Sequence, residues 1–362
     1  MSGRRAFPPI PIAVNTTDND PSGHAGTAGD FAFLRVPGLG FCIGLGPFEA
    51  RETRPEDGSP CFYSNDFQLA DPLPWKCPSQ FRVAGDLAPL TENISAEMPE
   101  IGWDPPGQRQ WESLCQSIHR DLDATRYTKI VPVVTEVGCL TNGGLDALVH
   151  GLPGLPPVYW SYAYRAGDRG LVGATPERLF SLDGNRLETM ALAGTAPVER
   201  VQPFSRNPKE IREHELVADY LVATLGGLGR VVRQPREIMH LGSIVHFKSD
   251  IRVELAHPLD VDELIHRLHP TPALGVLPRT PDNLAVLAAY RAKLGAPRRF
   301  GAPFGLWNAG VFHGVVGIRH ICWRGDTVLL PSGCGVIAES DPLHEWRELA
   351  LKRESVKRMF GL

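Results

Sequence analysis

At 362 residues and 39.6 kDa, the chain is long enough for one large domain or two ordinary ones. A hydrophobic content of 43% with 22% charged residues is that of a globular protein, and 37 glycines with 33 prolines fall short of the low-complexity range. A formal net charge of −4 and the lack of a basic run argue against nucleic acid or an anionic membrane as partner, and no apolar run approaches the length of a membrane span. The seven cysteines, at 42, 61, 77, 115, 139, 322 and 334, form no CxxC pair and leave an odd count, so free thiols in a reducing cytoplasm are expected.

Arg4-Arg5 ahead of Phe7 has the outline of a twin-arginine signal. The apolar segment that follows is short, carries three prolines and lacks a small-residue cleavage site. Residues 1 to about 30, rich in Gly, Ser, Thr, Asp and Asn, are expected to form a flexible tail, with 31–362 as one domain. From Phe31 to about Pro105, short apolar runs such as Phe31-Leu34 and Phe41-Leu45 alternate with Gly, Pro and Asp turns and read as antiparallel strands. Trp111, Leu114, Cys115, Ile118 and Leu122 recur at helical spacing, which predicts an amphipathic helix over about 107–125.

Thr128 to Val134 is apolar on both faces and predicts a buried strand with Lys129 at its start. Pro132 within it implies an edge or a bulge. Taken alone, Lys129 is more simply a strand-end lysine with its ammonium in water; if buried, it would be driven towards the neutral amine and so be usable as a general base. Strands are expected near 158–165, 170–182 and 186–196, with Gly173-Ala-Thr-Pro-Glu177 as a turn that carries a carboxylate. Asn207-Pro208 starts a helix, cap followed by proline. Glu213 falls on its apolar stripe of Val217, Tyr220, Leu221 and Thr224, with Glu210 three residues earlier. His246 lies in a short predicted strand, 244–247, where a hydrogen-bonded core histidine is the plainer reading. Leu268-His-Pro-Thr-Pro272 is a loop, and 315–320 is a strand carrying Arg319, a residue suited to gripping a carboxylate.

The last stretch repeats the anomaly. After the Gly-rich turn Ser332-Gly-Cys-Gly335, whose N–H groups could serve an anion, Ser340-Asp-Pro342 starts a helix with the stripe Leu349, Val356, Met359 and Phe360. Glu345 and Lys352 project into that stripe and Glu348 sits at its edge, where a covering helix would show apolar residues. Inward carboxylates require a counter-charge, either a lysine or a metal ion. Two inward ExxE pairs offering only carboxylate oxygens suit Mg²⁺, and zinc is disfavoured because no His/Cys ligand spacing is present.

Taken in order, Gly173-Ala-Thr-Pro-Glu177, Ala191-Leu-Ala-Gly-Thr195, Glu210-x-x-Glu213-His214, Leu268-His-Pro-Thr-Pro-Ala273, Ile318-Arg319, Ser332-Gly-Cys-Gly335 and Ser340-Asp-Pro-x-x-Glu345-Trp-x-Glu348-x-x-x-Lys352 resemble the chorismate-utilising enzymes, over about 110–362. The resemblance implies an α/β (α+β) domain of two large, orthogonally packed antiparallel sheets with helices outside and a cleft for chorismate and Mg²⁺. It makes Glu213, Glu345 and Glu348, supported by Glu210, the metal set. Arg319, Gly335 and Lys352 become the anion-binding set, with Thr195, His246, Thr271, Phe300 and Gly333 completing the substrate contacts. Lys129, which is Gln in ammonia-using members, implies water as nucleophile: Lys129 as the base at C2, Glu177 as the acid for the C4 hydroxyl, and no glutaminase subunit. The implied protein is a cytoplasmic, monomeric isochorismate synthase. A salicylate synthase, which goes on to eliminate pyruvate, is the alternative; Phe300-Gly301 stands where those enzymes usually carry Tyr. A chorismate-binding protein without turnover is the third reading, should Pro132 displace Lys129. Departures from the family pattern are Pro132, Ser332, Cys334 and Val276.

Overall fold

The N-terminal third turns its alternating apolar residues into strands, as the turn spacing predicts. In the computed structural model, which describes residues 29–362, the strands Phe31–Val36 and Gly40–Arg51 pair antiparallel across a tight turn, and Cys61–Ser64, Trp75–Ala84 and Glu100–Asp104 follow. The expected tail lies outside the described residues. Seventeen strands join edge to edge into one continuous hydrogen-bonded system whose pairings are antiparallel, and two short strands form a second sheet. Helices cover this sheet system, in keeping with the expected α+β class. Among the described residues, no helix is long and apolar enough to cross a membrane.

Two helices carry most of the acidic residues singled out above, and local chemistry sets both starts. The Asn207 side chain accepts from the N–H groups of Lys209 and Glu210 and Pro208 opens the Pro208–Gly226 helix; Asp341 accepts from the His344 N–H and Pro342 opens Pro342–Phe360. Each cap satisfies amides the helix cannot. The C-terminal helix stops at Gly361, whose φ of 71° is open to glycine at little cost. Its Leu349 joins the core formed with Trp111, Leu114 and Ile118 of the Gln108–Asp123 helix, while Val356 and Phe360 join a second core with Leu148, Val149 and Leu152. Burying a ring such as Phe360 contributes about 1.5–3 kcal/mol, so the helix bearing Glu345, Glu348 and Lys352 is anchored at its middle and its C-terminal end.

Four expectations are corrected. The strand predicted over 128–134 is cut by Pro132 into Lys129–Ile130, which pairs with Val276–Leu277 in the small sheet, and Val133–Asn142, which belongs to the large one. Proline lacks the N–H that would continue one ladder, and the chain changes sheets there. The strand predicted over 315–320 is likewise two, Val311–Val316 and His320–Arg324, and Arg319 lies between them at φ 56°. The short strand expected at 244–247 runs on to Leu255, because one edge pairs with Arg186–Pro197 and the other with two further strands. Finally, Cys61 and Cys77 are joined in a disulfide rather than free, brought together by the pairing of Phe62 with Lys76 on adjacent strands; Cys42, Cys115, Cys139, Cys322 and Cys334 are free.

Candidate active site

Between the two capped helices and the ends of the central strands lies a cleft open to solvent. Glu177, Thr195, Glu213, His246, Phe300, Arg319, Gly333, Gly335 and Lys352 line it. Lys129, Thr271, Glu210 and Glu348 stand just behind that wall, each buried and linked to a wall residue, and the buried Glu345 is reached by Lys209. Residues drawn from positions 129 to 352 thus meet in one place.

Lys129 has no exposed surface, and its Nζ lies 3.2 Å from Glu213 Oε1, an ion pair without hydrogen-bond alignment. The turn after Arg169–Thr175 buries Glu177, whose N–H donates to Thr175 Oγ1 and whose Oε1 is 3.5 Å from the Thr271 hydroxyl. Loss of water raises the Glu177 carboxyl from 4.5 to about 7, despite the opposing pull of Lys129. It therefore holds its proton over much of the neutral range.

A bulge organises the acidic side. The register between Arg186–Pro197 and Ile244–Leu255 slips between Ala193 and Thr195, with Gly194 at φ 75°; a Cβ there would meet the Glu210 backbone oxygen at 3.1 Å. The slip aims the Thr195 N–H at Glu210 Oε2, 2.9 Å away. His246 Nδ1 lies 2.7 Å from the Gly194 carbonyl, to which it must donate, leaving Nε2 to accept from Arg319 Nη2 at 3.1 Å. Burial, reinforced by Arg319 and Lys352, holds His246 well below its ordinary pKa, so the imidazole is neutral. Arg319 is further held by a 2.8 Å bond to Ser355 Oγ, and Lys352 Nζ donates to the Gly333 carbonyl at 2.8 Å while pairing with Glu348 at 2.6 Å.

Four carboxylates crowd the floor. Burial and the charge of Glu348 push Glu345 up to about 8, and burial, aided by Glu213, pushes Glu210 to about 7. Burial also acts upward on Glu213 and Glu348, but Lys129 and Lys209 for the first, and Lys352 and Lys209 for the second, outweigh it and leave both below the usual range. One residue of this floor escaped the sequence reading. Lys209 Nζ stands among the acids, 3.1 Å from Glu210, 3.4 Å from Glu213 and 3.0 Å from Glu345. The available signal was position: a lysine in the first turn of a helix opposes the helix dipole.

As the side chains stand, among the described residues, no three His, Cys, Asp or Glu converge as a metal-ligand set; the oxygens spread around an ammonium instead. The donor chemistry nevertheless fits a hard dication. All four residues offer carboxylate oxygens, and Glu345 Oε2 is buried with no hydrogen-bond partner.

Behind the Gly-rich turn lies a second charged group, also illegible in the sequence. Arg353 reaches Ser332 Oγ at 2.8 Å and the buried Glu136 at 3.3 Å, and Lys357 reaches Glu136 at 2.7 Å. These contacts tie the turn to the C-terminal helix.

Residues 86–361 match the model of a family described as chorismate binding enzyme. The chain is 29% identical over 302 residues to the salicylate biosynthesis isochorismate synthase of Pseudomonas aeruginosa, covering 79% of this chain and 60% of that one. It is 28% identical over 257 residues to isochorismate synthase EntC of Escherichia coli K12, covering 67% and 64%, so it spans about six-tenths of the length of these relatives. Its fold is similar to that of MenF, the menaquinone-specific isochorismate synthase from Escherichia coli, with TM-score 0.74, 18% identity and coverage of 91% and 88%. It is also similar to a putative 2,3-dihydroxybenzoate-specific isochorismate synthase, DhbC, from Bacillus anthracis, with TM-score 0.77, 19% identity and coverage of 93% and 97%. The family match spans most of the chain, including the cleft and both acidic helices, and the chain belongs to the chorismate-binding enzyme family.

Proposed function

We propose that the chain is an isochorismate synthase, which adds water at C2 of chorismate and expels the C4 hydroxyl. The observation that carries this reading is the pairing of a fully buried lysine, Lys129, with a buried carboxylic acid, Glu177, held near 7 at the same cleft. Lys129 takes a proton from the water as its oxygen bonds to C2. The ring double bonds shift, the C4–O bond breaks, and Glu177 gives its proton to the departing hydroxyl, which leaves as water. Arg319, fixed by His246 and Ser355, grips the enolpyruvyl carboxylate. Gly335 lets the Glu213 carboxylate and the Lys129 side chain press against the backbone of the turn, since a Cβ there would collide with both.

Glu213, Glu345 and Glu348, with Glu210 in support, would hold Mg²⁺, which when bound supplies Lewis-acid withdrawal of electrons through the ring carboxylate. Because water is the nucleophile, the reading includes no glutaminase subunit. The relatives' names support it, and Phe300, which lines the cleft where the resemblance places Tyr in salicylate synthases, favours release of isochorismate over pyruvate elimination. Incubation with chorismate and Mg²⁺, followed by separation of products, tests the proposal. Isochorismate alone is expected; salicylate with pyruvate, or unchanged chorismate, would select against it.

A further inference from the structure

The floor of the cleft holds three lysines in very different situations. Lys129 is sealed from solvent, and Lys352 is pinned to both Glu348 and the Gly333 carbonyl. Lys209 makes three contacts of 3.0–3.4 Å with Glu210, Glu213 and Glu345, and its side chain keeps 14% exposure, so it has a route out. Its place in the first helical turn runs against the helix dipole, a cost that the three acids offset. The point it occupies is central to the carboxylates argued above to hold the divalent ion, and an ammonium and a dication cannot both sit within a few ångströms of the same oxygens.

We infer that Lys209 is a tethered cation that occupies the divalent-metal position of the metal-free protein and must swing out before the ion can enter. This rests on the assignment of a metal to the four acids. Two consequences follow from one group: the metal-free protein stays folded without four buried acids repelling one another, and metal affinity is lower than the donor set alone would give. Removing the charge should therefore separate the two, weakening the metal-free fold and tightening metal uptake.

The test combines two variants with a measurement on the unaltered chain. Lys209→Met keeps most of the length and removes the charge; Lys209→Arg keeps the charge. Mn²⁺ binding is followed by the electron paramagnetic resonance of the free ion, and unfolding temperature is measured in chelator and in rising Mg²⁺. Lys209→Met should bind Mn²⁺ at least about tenfold more tightly than wild type, melt lower in chelator, and recover as Mg²⁺ rises, whereas Lys209→Arg should bind no more tightly than wild type. In the wild-type protein, acylation of Lys209 read by mass spectrometry should speed up severalfold when Mg²⁺ is added, which keeps the test decisive even if Lys209→Met does not fold. Equal Mn²⁺ affinity in wild type and Lys209→Met, or acylation unchanged or slowed by Mg²⁺, would overturn the inference while leaving the metal assignment standing. Absence of Mn²⁺ binding in wild type and variants alike would overturn both.

Discussion

Lys129 Nζ lies 3.2 Å from Glu213 Oε1, and Glu213 also lies 3.4 Å from Lys209. One carboxylate therefore links the proposed base to the acidic floor. Replacing Lys129 by Gln removes the proton acceptor while keeping a polar side chain of similar length. Turnover should fall by about 10²–10⁴-fold, the usual contribution of a positioned base, with chorismate affinity largely retained. Single-turnover kinetics set beside a binding titration check this; loss of binding in step with turnover would sink the assignment of Lys129 as base.

Glu177 supplies a pH dependence whose sign can be worked out. Its carboxyl rests at about 7 in the folded protein and 4.5 when water reaches it, because burial penalises the charged form. The stability it contributes is complete below 4.5 and is lost as pH rises through 7, a change of roughly 3 kcal/mol. Glu177→Gln stays neutral throughout, so relative to wild type it should gain stability between pH 5 and pH 8, measured by urea unfolding. Wild-type turnover should decline above about pH 7 as the acid loses its proton, and Glu177→Gln should be slow at every pH.

Gly335 is a steric test of the same geometry. An added Cβ would lie 2.1 Å from Glu213 Oε1 and 2.8 Å from Lys129 Cε. Gly335→Ala must push both aside, so turnover should fall at least about tenfold while unfolding shifts by only about 1–3 kcal/mol, the range for overpacking. Near-normal turnover in a folded Gly335→Ala protein would show that Lys129 and Glu213 do not act from the positions described.

Arg353 offers a prediction away from the chemistry. Arg353→Met takes one of two cations from the buried Glu136 and the partner from Ser332. A loss of about 2–4 kcal/mol is expected, because a buried charge is left half paired. With Ser332 released, the backbone of Gly333 should loosen and KM should rise more than kcat falls. Denaturant unfolding with steady-state kinetics would check both.

The acids at 210, 213, 345 and 348 were legible because each interrupts or borders an apolar stripe on a capped helix, and burial followed. Glu177 and Arg319 were legible as motif positions, though the φ of 56° that turns Arg319 inward was not, since a non-glycine residue gives no such sign. Lys209 sits beside Glu210 at a helix start and reads as a solvated charge; only the packing of a second helix encloses it. Glu136 lies in a strand where alternation alone would turn it to water, and its partners come from the far end of the chain. The Cys61–Cys77 bridge was hidden for a related reason: it depends on strand register, which spacing along the sequence does not reveal.

The two-residue strand Lys129–Ile130 is stitched to Val276–Leu277 on one side and bridged from Ile130 to Val336 on the other. Both partners lie far downstream, so seating this strand requires closing very large loops, an entropic step that slows folding. Until those loops close, Lys129 is an ordinary wet surface amine. Reactivity in this protein is thus a late property of the chain, acquired when distant segments finally seal the lysine away from water.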